Sequence, residues 1–237
     1  MTVDVVPQGK RAPRPIQCRF AALLFDFDGV LIESEAAGNR QIAEFLTGIG
    51  HPTTPEQSMA NFMGLSGADF RGAVERWIGG PLPDSFHAAR AAEDARCIAD
   101  GIEEVAGAVA FVRSLPAALP KAVVSSSNTR WLHAHLAHLG LTDVFGEHVY
   151  SGTEHVTRGK PAPDLYLYAA QRLGVAIERC AILEDSPVGA TGAVASGGYV
   201  IGLVAGTHCA PGHDERLRAI GVDAIAHDFG AVSALLA

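Results

Sequence analysis

With 237 residues and 48% hydrophobic content, the chain can bury a full core as one large domain, or as a domain carrying a substantial insertion. A net charge of −8 at pH 7, with Lys and Arg scattered, argues against nucleic acid or an anionic membrane as partner, because both reward basic patches. No apolar run approaches the ~18 residues of a bilayer span, and the N-terminal MTVDVVPQGKRAPRPIQCRF lacks a signal peptide's apolar segment, so the chain reads as cytoplasmic.

The first 18 residues, rich in Pro, Gly and basic side chains, read as a flexible leader. AALLF follows, a continuous apolar run of the kind found in a strand covered on both faces, and it ends in Asp26 and Asp28. From Glu35 to Gly101 the spacing predicts helices: QIAEFLTGIG, ADFRGAVERWIGG and SFHAARAAEDARCIADG. From Val105 helices and strands alternate. AGAVAFVRSL precedes KAVVSS, TRWLHAHLAHLG precedes HVYSG, and PDLYLYAAQRLG precedes CAILED. VGATGAVASG then leads to YVIGLV, and DAIAHD precedes a short closing helix. Repeated helix–strand order predicts an α/β fold with a doubly wound parallel sheet. Residues 19–34 and 105–237 are assigned to this core, and residues 35–104 to a helical cap inserted after the first strand.

Three of these strands end in polar groups: Asp26 and Asp28, Ser125, then Glu184 and Asp185. In open α/β sheets ligands bind at that carboxyl edge. The loop RGKPAPD adds Lys160, stiffened by Pro161 and Pro163, which also start a helix near Asp164. Crowded carboxylates repel, at ~4 Å and an effective dielectric near 20 by on the order of 4 kcal/mol per pair, and a divalent cation relieves this. Oxygen donors without His or Cys, facing a phosphate, favour Mg²⁺. The phosphate would meet Lys160, the Ser125 hydroxyl, and the loop Ser126, Ser127 and Asn128, whose amides open the next helix. Asp26, ionised at neutral pH, can then attack phosphorus without a general base, and Asp28 can protonate the leaving alkoxide and deprotonate water in turn.

The stretches DFDGVLIESE, VVSSSN, RGKPAPD and ILEDSPVGA resemble, in order and spacing, the four motifs of the haloacid dehalogenase superfamily, in the subgroup with a helical cap after the first strand. The resemblance covers nearly all of the chain after residue 20. It implies a nucleophile at Asp26, acid/base chemistry at Asp28 and phosphate binding at Ser125 and Lys160. It also implies Mg²⁺ on Asp26, the Asp28 carbonyl and Asp185, with Glu184 as ligand or ligand support. Family dehalogenases lack an acid at the place of Asp28, so the resemblance points to a phosphatase acting on a small phosphorylated metabolite, by likeness a sugar or polyol phosphate. Similar sugar phosphomutases carry a cap His and Arg where this chain has Gly38 and Gly67, which weighs against the alternative of a β-phosphoglucomutase-type enzyme. The intact pair of aspartates weighs against the third class, a non-catalytic phospholigand sensor. Asn39 and Arg40, at the entry to the cap, are candidates to face the substrate, with an exposed helix face as the competing account.

Other motifs read as structural. Cys18, Cys97, Cys180 and Cys209 form no CxxC pair, so their spacing gives neither a zinc site nor a disulfide framework, and all are expected to be reduced. His133, His135 and His138 read as solvated helix surface, and GATGAVASGG as small residues packing a helix on the sheet. A monomer or weak homo-oligomer is expected.

Overall fold

The computed structural model describes residues 19–237 except 64 and 66. The expected leader and Cys18 lie outside the described residues. Among those described, a six-stranded sheet has every pair parallel: β1 (Ala22–Phe25), β2 (Lys121–Ser125), β3 (Val149–Ser151), β4 (Cys180–Glu184), β5 (Tyr199–Leu203) and β6 (Ala224–Ala226). Their order is β3-β2-β1-β4-β5-β6, so the chain reverses its direction of winding between β1 and β4. A crevice opens at the carboxyl ends of two such strands because their connections depart to opposite sides.

Alternation along β1 explains why its apolar run has no polar face. Leu23 and Phe25 pack on one side with Phe111 and Val112 of α5 (Ala108–Ser114), Leu132 and Leu136 of α6 (Thr129–His138), Phe145 of α7 (Thr142–Phe145), and Val232 of α11 (Phe229–Leu236). Ala22 and Leu24 pack on the other with Leu165, Tyr166 and Ala169 of α8 (Asp164–Leu173) and Ala193 of α9 (Pro187–Ser196). Full burial of one Leu or Phe stabilises by about 1.5–3 kcal/mol, so the strand is anchored from both sides. The small residues of α9 do pack closely: a Cβ on Gly192 would lie 2.9 Å from the Ala162 carbonyl oxygen.

Between β1 and α5 run α1 (Ser34–Gly48), α2 (Pro55–Phe62), α3 (Gly67–Ile78) and α4 (Ser85–Asp100). They hold a separate apolar cluster of Ile42, Leu46, Phe62, Val74 and Phe86. The sequence reading missed α2, although Thr54 and Gln57 form a capping box around Pro55. It also missed α10 (His213–Ile220), a polar helix ended by Gly221. The two chains that join the inserted helices to the sheet lie side by side: Glu33 N–H donates to Glu103 O (2.9 Å) and Val105 N–H to Leu31 O (3.1 Å). Among the described residues, no helix is long and apolar enough to cross a membrane.

Candidate active site

The reversal between β1 and β4 sets Asp26 beside Glu184 and Asp185, all buried. Lys160 reaches between them, its Nζ 2.8 Å from Asp26 Oδ1 and 2.6 Å from Glu184 Oε1, with the side chain only 3% exposed. An Arg158–Asp164 pair staples the loop that carries it, through Nε to Oδ1 (3.0 Å) and a second guanidinium nitrogen to Oδ2 (2.9 Å). Burial would lower the Lys160 pKa, but the Asp26 and Glu184 carboxylates outweigh it and hold the ammonium charged. Burial, reinforced by the charge of Asp26, pushes Glu184 up to about 7 despite Lys160. Asp185 is raised by the same causes, burial first, then Asp26 and Glu184.

The Tyr166 hydroxyl, which the sequence reading did not single out, lies between Glu184 Oε1 and the Gly189 carbonyl oxygen (3.0 Å). Gly189 is required where it stands, because a Cβ there would sit 2.0 Å from Glu184 Oε2. Gly29 is required twice over: its φ is +79° and its Cβ would fall 2.1 Å from Asp185 Oδ2.

Asp28 is held by donors from the loop after β2. Ser127 Oγ donates to its Oδ2 (2.6 Å), Ser125 Oγ approaches the same oxygen (3.3 Å), and Trp131 Nε1 donates to its Oδ1 (3.1 Å). Ser125 Oγ also accepts from Ser127 N–H (3.0 Å). Asn128 caps α6, its Oδ1 accepting from Trp131 N–H (2.9 Å), and Ser126 is exposed. Trp131 had no motif to mark it, yet it carries the one indole N–H on Asp28.

Candidate ligand oxygens of Asp26, Glu184 and Asp185 lie within 4.8 Å of one another. Asp185 Oδ1 is buried with no hydrogen-bond partner, which fits an oxygen that serves a cation. The donor set is all oxygen and suits a hard divalent ion.

A cleft of about 830 Å³ joins this edge to the inserted helices. Asp26, Asp28, Ser125, Ser126, Ser127, Asn128, Lys160 and Asp185 line its floor, with Glu35, Gly38, Asn39 and Arg90 on the facing wall. Asn39 lines the cleft, its amide N–H donating to Glu35 O (2.9 Å) and its Oδ1 accepting from the Ser58 hydroxyl (2.8 Å). Arg40 is exposed and is not among the residues that line the cleft, as the competing helix-face account has it; it lies one residue and so about 100° further round α1. The cation on this wall is Arg90 of α4, whose guanidinium donates to Gln41 Oε1 (3.1 Å) and approaches Gly38 O (3.4 Å). The Glu35 carboxyl, partly buried here, is raised chiefly by desolvation.

His133 and His138 are exposed as expected, but His135 is fully buried. Its ring meets Trp131 edge-on at 4.2 Å, and burial lowers its pKa. The solvated-surface reading fails there because α6 turns that position toward the indole that holds Asp28. Among the described residues Cys97 and Cys180 are buried, Cys209 is half-buried, and all three are free thiols.

A family model described as haloacid dehalogenase-like hydrolase matches residues 20–197. Hexitol phosphatase A of Escherichia coli K12 is 30% identical over 214 residues, covering 89% of this chain and 92% of that protein. Fructose-1-phosphate phosphatase YqaB of the same organism is 32% identical over 183 residues, covering 76% and 94%. A haloacid dehalogenase family hydrolase from Deinococcus radiodurans R1, solved with bound phosphate and sodium, superposes with a TM-score of 0.79 at 31% identity, covering 93% of this chain and 99% of that one.

Proposed function

The chain belongs to the haloacid dehalogenase-like hydrolase family, and we propose that it is a Mg²⁺-dependent phosphatase that cleaves a sugar or polyol phosphate through a phosphorylated Asp26. The observation that carries this reading is the pairing of Asp26, buried against Lys160, with Asp28, two residues on and held by Ser127 and Trp131. In the first step an Asp26 oxygen forms a bond to phosphorus as the ester P–O bond breaks, and the leaving alkoxide takes a proton from Asp28. In the second step Asp28 takes a proton from water as its oxygen attacks the phosphoryl group, which frees Asp26 and releases phosphate. Trp131 and Ser127 hold the Asp28 carboxyl in place for both transfers.

Lys160 neutralises charge on Asp26 and on the bound phosphate, while Ser125 and the amides of 126–128 receive the remaining phosphoryl oxygens. Asp26, the Asp28 carbonyl and Asp185 are the residues that would hold Mg²⁺. When bound, the ion neutralises the carboxylates and polarises the phosphoryl group. Glu184 has its Oε1 engaged by Lys160 and Tyr166, so it acts by orienting the lysine.

The inserted helices serve as a cap that closes over the ester. Arg90, Asn39 and Glu35 make their wall of the cleft polar, which suits a hydroxylated leaving group. The names of hexitol phosphatase A and fructose-1-phosphate phosphatase point the same way. Phosphate release is to be measured over a panel of phosphorylated hexitols, hexoses and small acids, with Mg²⁺ and with EDTA. The reading expects polyol or sugar esters to lead, no turnover in EDTA, and none in Asp26→Asn. Activity undiminished by EDTA, or near wild-type turnover in that variant, overturns it.

A further inference from the structure

The loop that leaves β5 carries His208 and Cys209, and His213 opens α10. One ligand atom from each lies within 4.8 Å of the others, and both histidines are buried. His208 Nε2 is 3.4 Å from Cys209 Sγ and 2.8 Å from Asp185 Oδ2, and the His213 ring nitrogen Nε2 lies 2.5 Å from the Asp185 carbonyl oxygen. His208 Nδ1 is buried without a partner, so no second hydrogen bond fixes that ring. The ring is instead wedged by two glycines, since a Cβ on Gly206 would come within 2.5 Å of its Cε1 and one on Gly29 within 2.9 Å.

Two imidazoles and a thiol are borderline-to-soft donors, unlike the all-oxygen cluster on Asp26, Glu184 and Asp185. Tetrahedral Zn²⁺, with bonds of about 2.0–2.3 Å, sets ligand atoms about 3.3–3.7 Å apart, so the Sγ to Nε2 separation already matches, and the third donor, within 4.8 Å of both, has at most about 1.5 Å to close. We propose that His208, Cys209 and His213, with Asp185 Oδ2 as a shared fourth ligand, form a second metal site for a Zn²⁺-class cation, and that an ion held there opposes hydrolysis by tying Asp185 to the histidine side. The inhibitory half rests on the role proposed above for Asp185; the binding half does not.

Binding breaks the Cys209 S–H bond, whose proton leaves to solvent, and moves the His208 proton from Nε2, where it faces Asp185 Oδ2, to the unpartnered Nδ1, so that sulfur and Nε2 each present a lone pair to the metal. The exposed Arg216 guanidinium, 3.0 Å from His213 Nδ1, has to turn to solvent for that ring to ligate, so Arg216→Gln should tighten binding.

Co²⁺ titrated into the metal-free protein, with no substrate present, reads the site directly, because a thiolate ligand gives a near-ultraviolet charge-transfer band. The wild type and Cys18→Ser should show the band at one ion per chain, and Cys209→Ser should lose it. Zn²⁺ affinity, by competition with a chromophoric chelator, should fall about tenfold or more in Cys209→Ser and His213→Gln. With excess Mg²⁺, and each protein normalised to its own rate, Zn²⁺ should inhibit Cys209→Ser about tenfold less well than wild type. No charge-transfer band in the wild type, or a band that survives Cys209→Ser, overturns the site. A band with equal zinc sensitivity in the two proteins overturns the inhibition and keeps the site.

Discussion

Replacing Lys160 with Met keeps an unbranched apolar stem as far as the ε position and removes the ammonium that touches both Asp26 and Glu184. The wild-type fold already works against ionised Glu184: its carboxyl stands at about 7 against an ordinary 4.5. At about 1.4 kcal/mol per pH unit, ionising it in place costs about 3 kcal/mol with Lys160 present. Without the lysine the folded-state pKa rises further, because the one nearby group that lowers it by charge is gone. Breaking a buried pair on one side typically costs about 3–5 kcal/mol.

The pH dependence has a definite sign. A carboxyl raised in the fold binds its proton more tightly there than in the unfolded chain, so stability falls as pH rises from about 4.5 through the folded pKa. Urea unfolding of metal-free Lys160→Met should therefore show a loss of about 3–5 kcal/mol at pH 8 and a clearly smaller loss at pH 5.5, where Glu184 takes a proton. Adding Glu184→Gln should recover part of the loss at pH 8. A destabilisation below about 1 kcal/mol at pH 8, or one equal at the two pH values, refutes the charge-compensation reasoning.

His135→Phe should stabilise the protein by about 1 kcal/mol at pH 5.5 and less at pH 8, because a buried imidazole with neither nitrogen partnered resists protonation and loses stability as pH falls through its ordinary 6.5; thermal melts across that range check it. Trp131→Phe should lower kcat about tenfold with little change in KM, through loss of the single charge-assisted bond on Asp28 Oδ1; steady-state kinetics on any accepted ester decide. Arg90→Ala should lower kcat/KM about tenfold for a sugar or polyol phosphate and leave an aryl phosphate nearly unchanged, since the cleft wall meets the leaving group rather than the phosphoryl group.

The sheet and its acidic edge were legible because a strand buried on both faces shows as an unbroken apolar run, and a charge at its end then stands out. Asp26, Ser125 and Glu184 each follow such a run, and Lys160 lies between two prolines that mark a loop. Groups that complete the site by tertiary contact left no such mark. Trp131 and Tyr166 read as ordinary aromatic positions of amphipathic helices, and only the packing of α6 and α8 on the sheet turns them to Asp28 and Glu184. Arg40 and Arg90 show the same limit. Both are arginines on inserted helices, but which one meets the cleft depends on how α1 and α4 cross, which spacing along either helix does not contain. His208 and His213 left no mark because cysteine spacing and histidine spacing each read as structural taken separately, whereas this set mixes one Cys with two His across a loop and a helix start.

Covalent phosphorylation of Asp26 can be tested by stereochemistry without requiring an intermediate to accumulate. An isotopically chiral phosphate monoester of an accepted substrate, hydrolysed in isotopically labelled water, should give inorganic phosphate with net retention at phosphorus, because each of two in-line displacements inverts once. Net inversion, the mark of a single direct attack by water, would contradict the role given to Asp26.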